Sequence, residues 1–230
     1  MRMKESITRK TYDLWAVFYD HTFGALVHAR QMLAIEHLRP NPGDHVLDIG
    51  VGTGMTLPHY PKNVTVVGMD LSPGMLKKAA VKCSEQGLSH CQLINADAML
   101  PPFADASFDH IVISHTISVV SEPQKLVAWA CRLVKPTGRI IVLNHFLSTS
   151  PVVAAFERVL NPLCVKIGWR SDLSLDECLA GSDLHVAYRF KKGLLDFWQI
   201  AVLTPHQPGL TCAPAEGEAP PQGASVALDG

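Results

Sequence analysis

Three glycines at alternate positions, Gly50, Gly52 and Gly54, close the stretch V-L-D-I-G-V-G-T-G over residues 46–54, and Asp48 stands two positions ahead of the first. Alternate glycines let a chain turn sharply at a strand end and bring backbone close to a ligand without Cβ obstruction. A dinucleotide loop spaces its glycines G-x-G-x-x-G, so that the last packs a helix whose N-terminus faces a pyrophosphate. Here the spacing is G-x-G-x-G, and a pyrophosphate would be repelled by Asp48, whose carboxylate suits orienting the loop or a ligand's amino group. The next apolar run, V-T-V-V-G-M-D, ends in Asp70, where a carboxylate can accept both ribose hydroxyls of an adenosine. Further on, in N-A-D-A (95–98), Asp97 can accept from the exocyclic amine of adenine beside Ala98, while Leu71 and Met75 can sandwich the ring. A glycine loop alone is often only a turn; the ordered set of loop, Asp70 and Asp97 is what specifies a nucleoside.

Such residues need strands to carry them to one edge. Apolar runs alternate with helical patterns from about residue 44 to residue 145, as in βαβ units around a buried parallel sheet. The runs predict strands over 45–49, 64–69, 91–96, 110–114 and 139–144. Ser72-Pro73 supplies a cap and a first-turn proline for the helix after the second strand, and Gly87 can end that helix in a left-handed turn. Beyond residue 150 the pattern predicts a helix over 151–160 and an irregular stretch around Gly168-Trp169-Arg170. Two strands follow, L-H-V-A-Y-R-F and L-L-D-F-W-Q-I-A-V-L, joined at K-K-G into an antiparallel hairpin. The division expected is a helical cap over 1–40, an α/β domain over 41–204 and a disordered Pro-, Gly- and Ala-rich tail over 205–230.

Composition excludes several classes. With 230 residues, a net charge of −1 and 18% charged residues, the chain carries no global basic field, and nucleic acid is not an expected partner. The six cysteines form no C-x-x-C pair and no zinc-finger spacing, so reduced thiols and no metal are expected. The start M-R-M-K-E-S-I-T-R-K lacks the apolar core of a signal peptide, and no later apolar run reaches the ~20 residues of a membrane span. These features predict a cytoplasmic protein, dissolved or resting on the inner face of the membrane. Nothing in them specifies an oligomeric state.

The set V-L-D-I-G-V-G-T-G, Asp70, Asp97 and L-V-K-P-T-G (133–138) resembles the class I S-adenosylmethionine-dependent methyltransferases over roughly residues 40 to 204. In that family the last turn usually carries two glycines after the proline; Thr137 replaces the first here. The resemblance implies a Rossmann-like fold with a seven-stranded, mostly parallel sheet, and S-adenosylmethionine held by Asp48, Gly50, Gly52, Gly54, Asp70, Leu71, Met75, Asp97 and Ala98. Methyl transfer is an in-line displacement at a carbon already activated by a sulfonium, so alignment and exclusion of water dominate and no metal is required. An amine acceptor must first be neutral, for which a weak base or a water path is useful. In this fold the acceptor side belongs to the N-terminal cap and the loops after the fourth and fifth strands. The sequence places Tyr12, Trp15, Phe18, Tyr19, Asp20 and His21 in the first, His115 in the second, and Asn144-His145 in the third. Aromatic faces attract ammonium groups and suit an acceptor that becomes quaternary; Trp15 and Phe18 read equally as the core face of an amphipathic helix.

Further details resemble the soluble, Rhodobacter-type bacterial phosphatidylethanolamine N-methyltransferases: the N-terminal Y-D and aromatic pattern, L-P-x-Y at 57–60, N-H ending at His145, and N-P-L-x-x-x-x-G-W-R at 161–170. The resemblance implies methylation of ethanolamine head groups toward phosphatidylcholine, with Tyr19, His115 and His145 as catalytic candidates. Tyr12, Trp15, Asn144, Trp169 and Arg170 are the substrate-binding candidates. Arg170 can hold a lipid phosphate and Trp169 can sit at a bilayer interface; a packed corner with a surface ion pair is the competing reading. Arg2, Lys4, Arg9 and Lys10, with Ile7, Leu14, Trp15 and Phe18 on an apolar face, would let an N-terminal helix lie on an anionic membrane surface. A lid helix is its competitor. A C- or O-methyltransferase for a quinone or other small metabolite, and a cofactor-binding module without catalysis, are the alternative functions.

Overall fold

A computed structural model describes residues 25–148, 151–166, 170–192 and 196–206. The expected apolar runs become strands β1 (His45–Ile49), β2 (Thr65–Asp70), β3 (Cys91–Asn95), β4 (Phe108–Ser114) and β5 (Val134–His145), followed by β6 (Leu184–Phe190) and β7 (Trp198–Pro205). The helices are α1 (Ala25–Glu36), α2 (Pro73–Glu85), α3 (Pro123–Leu133), α4 (Pro151–Lys166) and the short α5 (Leu175–Leu179). One seven-stranded sheet has the order β3-β2-β1-β4-β5-β7-β6. The pairs from β3 to β5 are parallel, and β7 runs antiparallel to both β5 and β6. The expected mixed α/β architecture with a C-terminal antiparallel hairpin is therefore present.

Side-chain alternation along the central strands explains the two cores. Leu47, Ile49, Ile111, Ile113, Ile140 and Val142 face one side, against Leu126, Val127, Ala130 and Leu133 of α3. Val46, Val112, Ile141 and Leu143 face the other, against Ala34 and Ile35 of α1 and Leu76 and Ala79 of α2. Strands buried on both faces read as continuous aliphatic runs, as the sequence of β1, β4 and β5 does. The Ser72 hydroxyl accepts from Met75 N at 3.1 Å and Pro73 opens α2, while Gly87 follows the helix at φ +63°, as the capping residues predict.

Three departures from expectation have structural causes. L-V-K-P-T-G is not a turn ahead of β5 but an irregularity within it: Phe108 pairs with Val134, and the next matched pair is His110 with Arg139. Gly138 is required there, because a Cβ would overlap the Asp109 carbonyl and Val134. The helix expected to stop at residue 160 continues to Lys166 with Pro162 inside it, the proline ring lying on the exposed side. The seventh strand starts at Trp198 rather than Leu194, because Asp196 is drawn to Arg30 and accepts from Trp198 N at 3.1 Å, which sets the strand's first residue.

Candidate active site

Register brings the functional loops to one edge. Ile49 pairs with Met69 on one side and Ile113 on the other, Asp70 with Asn95, and Ser114 with Leu143, so the carboxyl ends of β1 to β5 are level. Just past β1, Gly50 N and Val51 N donate to Met69 O at 2.7 and 3.1 Å, anchoring the glycine loop to β2. Gly50, Gly52 and Gly54 have φ of +76°, +57° and +72°, a conformation only glycine adopts freely. Behind Gly50 lies Thr116, and behind Gly54 lie Leu57 and Ala79, while Gly52 meets only the Gly50 carbonyl at 4.0 Å. The loop is thus packed at its ends and open at its middle.

Two carboxylates organise it. Asp70 accepts from Gly52 N at 2.9 Å and Ser72 N at 2.8 Å, bridging the loop and the start of α2. Asp48 is only 1% exposed, and both recorded bonds fall on Oδ2, from Thr56 Oγ1 at 2.7 Å and Tyr60 Oη at 2.9 Å. Burial raises its carboxyl to about 6 against the opposing hydroxyl donors, and the Asp70 charge adds to the rise. A cationic ligand relieves both effects, and this electrostatic demand fits the ammonium and sulfonium of S-adenosylmethionine. Asp97 Oδ1 accepts from Met99 N at 2.8 Å in the turn after β3, beside the partly buried Ala98. Leu71 is partly accessible, whereas Met75 is 2% exposed; the accessible apolar wall at this corner is Leu71.

The β4 and β5 ends meet across a buried polar junction. Asn144, 1% exposed, accepts from Ser118 Oγ at 3.0 Å and donates to the backbone, so it ties the loop after β4 to β5. His115 sits at φ +58°, its N–H donating to Leu143 O at 2.8 Å. Burial, aided by the Arg30 guanidinium, lowers its imidazole to about 3, which makes it a neutral ring at physiological pH. It lies edge-on to Trp198, over which Arg30 is placed 4.5 Å from the ring centroid while binding both Asp196 oxygens at 2.8–2.9 Å. His145 is held on both sides: Nδ1 donates to Phe197 O at 2.8 Å, and Nε2 lies 3.3 Å from the Glu157 carboxylate of α4. That carboxylate also accepts from Ser148 N. Asn144 and His145 thus form the structural seam of this end of the site.

Arg170 N donates to Ser118 O and its Nε donates to Asp172 at 2.9 Å. Its side chain lines a cleft of about 630 Å³ with Val120, Lys125, Leu173, Glu177 and Cys178, next to the loop that carries His115. Tyr12, Trp15, Tyr19 and Trp169 lie outside the described residues. Sequence reading missed Thr56, Tyr60, Thr116, Arg30, Asp196, Trp198 and Glu157. Two carried a signal: Tyr60 is the last residue of L-P-x-Y, and Glu157 is the single acid in α4.

Residues 47–142 match the family model described as methyltransferase domain. The chain belongs to the class I S-adenosylmethionine-dependent methyltransferases, and S-adenosylmethionine is its cofactor. More particularly, it is 34% identical over 185 residues to the phosphatidylethanolamine N-methyltransferase of Cereibacter sphaeroides, covering 80% of this chain and 90% of that one. It is also 36% identical over 111 residues to the demethylmenaquinone methyltransferase of Renibacterium salmoninarum, covering 48% and 45% of the two chains. The crystal structure of the YcgJ protein of Bacillus subtilis superposes with a TM-score of 0.63 at 25% identity, over 70% of this chain and 72% of that one.

Proposed function

We propose that this enzyme N-methylates phosphatidylethanolamine at a membrane surface, in one or more steps toward phosphatidylcholine. The observation that carries the reading is the relative of that name, alike over 90% of its own length and so beyond the cofactor-binding half. S-adenosylmethionine supplies a methyl carbon made electrophilic by its sulfonium. Gly50, Gly52 and Gly54 would cradle the cofactor, Asp48 would answer its positive charge, Asp70 would accept its ribose hydroxyls, and Leu71, Asp97 and Ala98 would border the base. The acceptor amine would have to be presented to that carbon as a neutral nucleophile, with water to take its proton. His115 is too weakly basic to hold that proton; as a neutral ring it can orient the amine by accepting its N–H. Tyr19 is the proposed second orienting group and Tyr12 and Trp15 the aromatic wall.

A phosphate-bearing acceptor belongs to this reading. Arg170, ion-paired with Asp172, and Lys125 border the cleft beside the His115 loop together with Glu122 and Glu177, and a guanidinium recognises phosphate well. Surface approach is supported by the β6–β7 connection at this same edge, where Phe197 is 66% exposed and Lys191 and Lys192 follow β6, while Asp196 turns inward to Arg30. No helix among the described residues is long and apolar enough to cross a membrane. The N-terminal segment supplies the remaining contact in this reading. Purified enzyme given labelled S-adenosylmethionine and phosphatidylethanolamine vesicles should transfer label to lipid, and none in lipid under conditions of demonstrated cofactor binding refutes the assignment. The second reading, a quinone C-methyltransferase, draws on the demethylmenaquinone methyltransferase relative; label transferred to a demethylquinone acceptor and none to phospholipid would establish it.

A further inference from the structure

The L-P-x-Y segment borders the glycine loop without being part of it. It forms a 3-10 turn at Leu57–His59 directly after the glycine loop, with Leu57 fully buried and Tyr60 3% exposed. A tyrosine hydroxyl in such a position needs an acceptor. Tyr60 finds Asp48 Oδ2 at 2.9 Å, and Thr56 Oγ1 reaches the same oxygen at 2.7 Å. Two donors on one oxygen fix the rotation of the carboxylate and leave Oδ1 with no hydrogen-bond partner among the described residues. We propose that Thr56 and Tyr60 are positioning residues for cofactor binding, clamping one oxygen of Asp48 so that the other is presented, ionised, to the cationic end of the methyl donor. The proposal rests on the reading of the glycine loop as the S-adenosylmethionine site.

The electrostatic setting makes the clamp necessary. Burial disfavours the carboxylate and the Asp70 charge across the loop disfavours it further, so the two hydroxyls are what oppose protonation. The other titratable neighbours are Tyr60 itself, from the 3-10 turn, and the Cys91 thiol from β3. Burial drives Tyr60 well above its ordinary range and Cys91 up to about 12, so neither changes charge between pH 5 and 9. Asp70 is held by Gly52 N and Ser72 N, which substitutions at Thr56 or Tyr60 leave in place.

The test is the pH dependence of S-adenosylmethionine affinity, measured by calorimetry from pH 5 to 9. Wild-type affinity should weaken below a break at about 6, where Asp48 begins to take up a proton. Tyr60→Phe and Thr56→Val should each weaken binding roughly fivefold at pH 8.5, where Asp48 is ionised but no longer held in place, and should also shift the break upward by roughly one pH unit, the worth of one charge-assisted hydrogen bond. Thr56→Ser, which restores a hydroxyl, should return the wild-type break, and Asp48→Asn should remove it. If Tyr60→Phe does not fold, Thr56→Val against Thr56→Ser makes the same comparison. An unmoved break in variants of reduced thermal stability, or a loss of affinity by one factor at every pH, overturns the proposal. Failure of the wild-type enzyme to bind the cofactor at any pH would instead overturn the assignment of the loop.

Discussion

Thr116 stands where a side chain on Gly50 would have to go. Its hydroxyl donates to Ile49 O at 3.0 Å, with Ser114 O at 3.1 Å as second acceptor, so the loop after β4 is stitched to the end of β1 directly behind the glycine loop. The first glycine therefore serves packing, and the second, with open space before it, serves the ligand. Gly50→Ala combines positive φ with overlap and should lower folding stability by ~2–4 kcal/mol. Gly52→Ala meets only the backbone penalty of ~1 kcal/mol, yet should weaken S-adenosylmethionine at least ~10-fold, or ~1.4 kcal/mol. Urea titration beside calorimetry separates the two, and equal effects on both quantities at both sites would contradict this division.

Asp70→Asn exchanges a carboxylate with two acceptor oxygens for an amide with one, so either Gly52 N or Ser72 N loses its partner. The dissociation constant for S-adenosylmethionine should rise ~10–100-fold, reflecting a lost charge-assisted bond and a lost ribose acceptor. Adenosine, which lacks the amino acid portion, should suffer a similar loss. Unchanged affinity for adenosine would place the ribose elsewhere.

The His115 ring, brought from 6.5 down to about 3, binds fewer protons folded than unfolded. Its contribution to stability is complete above pH 6.5 and is lost as pH falls from there toward 3. His115→Asn should accordingly flatten the acid limb of the melting temperature between pH 6.5 and 4, once the fall intrinsic to the substitution is subtracted. Asp48 acts in the opposite sense: its raised carboxyl favours the fold in acid and that contribution disappears as pH rises through about 6. An imidazole resonance of His115 titrating near 6.5 would show the ring to be solvated instead.

Removing His145 leaves the Glu157 carboxylate, itself 8% exposed, without its histidine partner. His145→Ala should lower stability by ~1–3 kcal/mol through that unpaired buried charge, and the double variant with Glu157→Gln should recover part of it. Because both ring nitrogens are engaged, the pH profile of kcat should keep its shape. A kcat profile that loses its basic or acidic limb in His145→Ala would make His145 a catalytic group.

Much of the site was legible because it is local. Glycine spacing, an aspartate closing an apolar run and a Ser-Pro helix start are short-range patterns, and β1 appeared with the bounds expected of it. Roles that depend on distant partners were not legible. His145 read as a catalytic candidate at a strand end, and the partners that hold its ring lie on α4 and beside β7, twelve and fifty-two positions away. Asn144 read as a substrate contact, and its bond from Ser118, twenty-six positions away, had no signal in the sequence. The late start of β7 depended on Arg30, 166 positions from Asp196.

By itself the sequence determined that alternating apolar segments would make a mostly parallel sheet and that its first turn would be a ligand loop flanked by carboxylates. Periodicity and glycine content act within a few residues and need no partner to be recognised. Only tertiary structure decided that β7 inserts between β5 and β6 and that Thr116 backs Gly50. It also decided that Asp48 turns one oxygen onto Thr56 and Tyr60. Those outcomes follow from burial: once the central strands exclude water, each polar group beside them must take a partner from whichever element packs within reach.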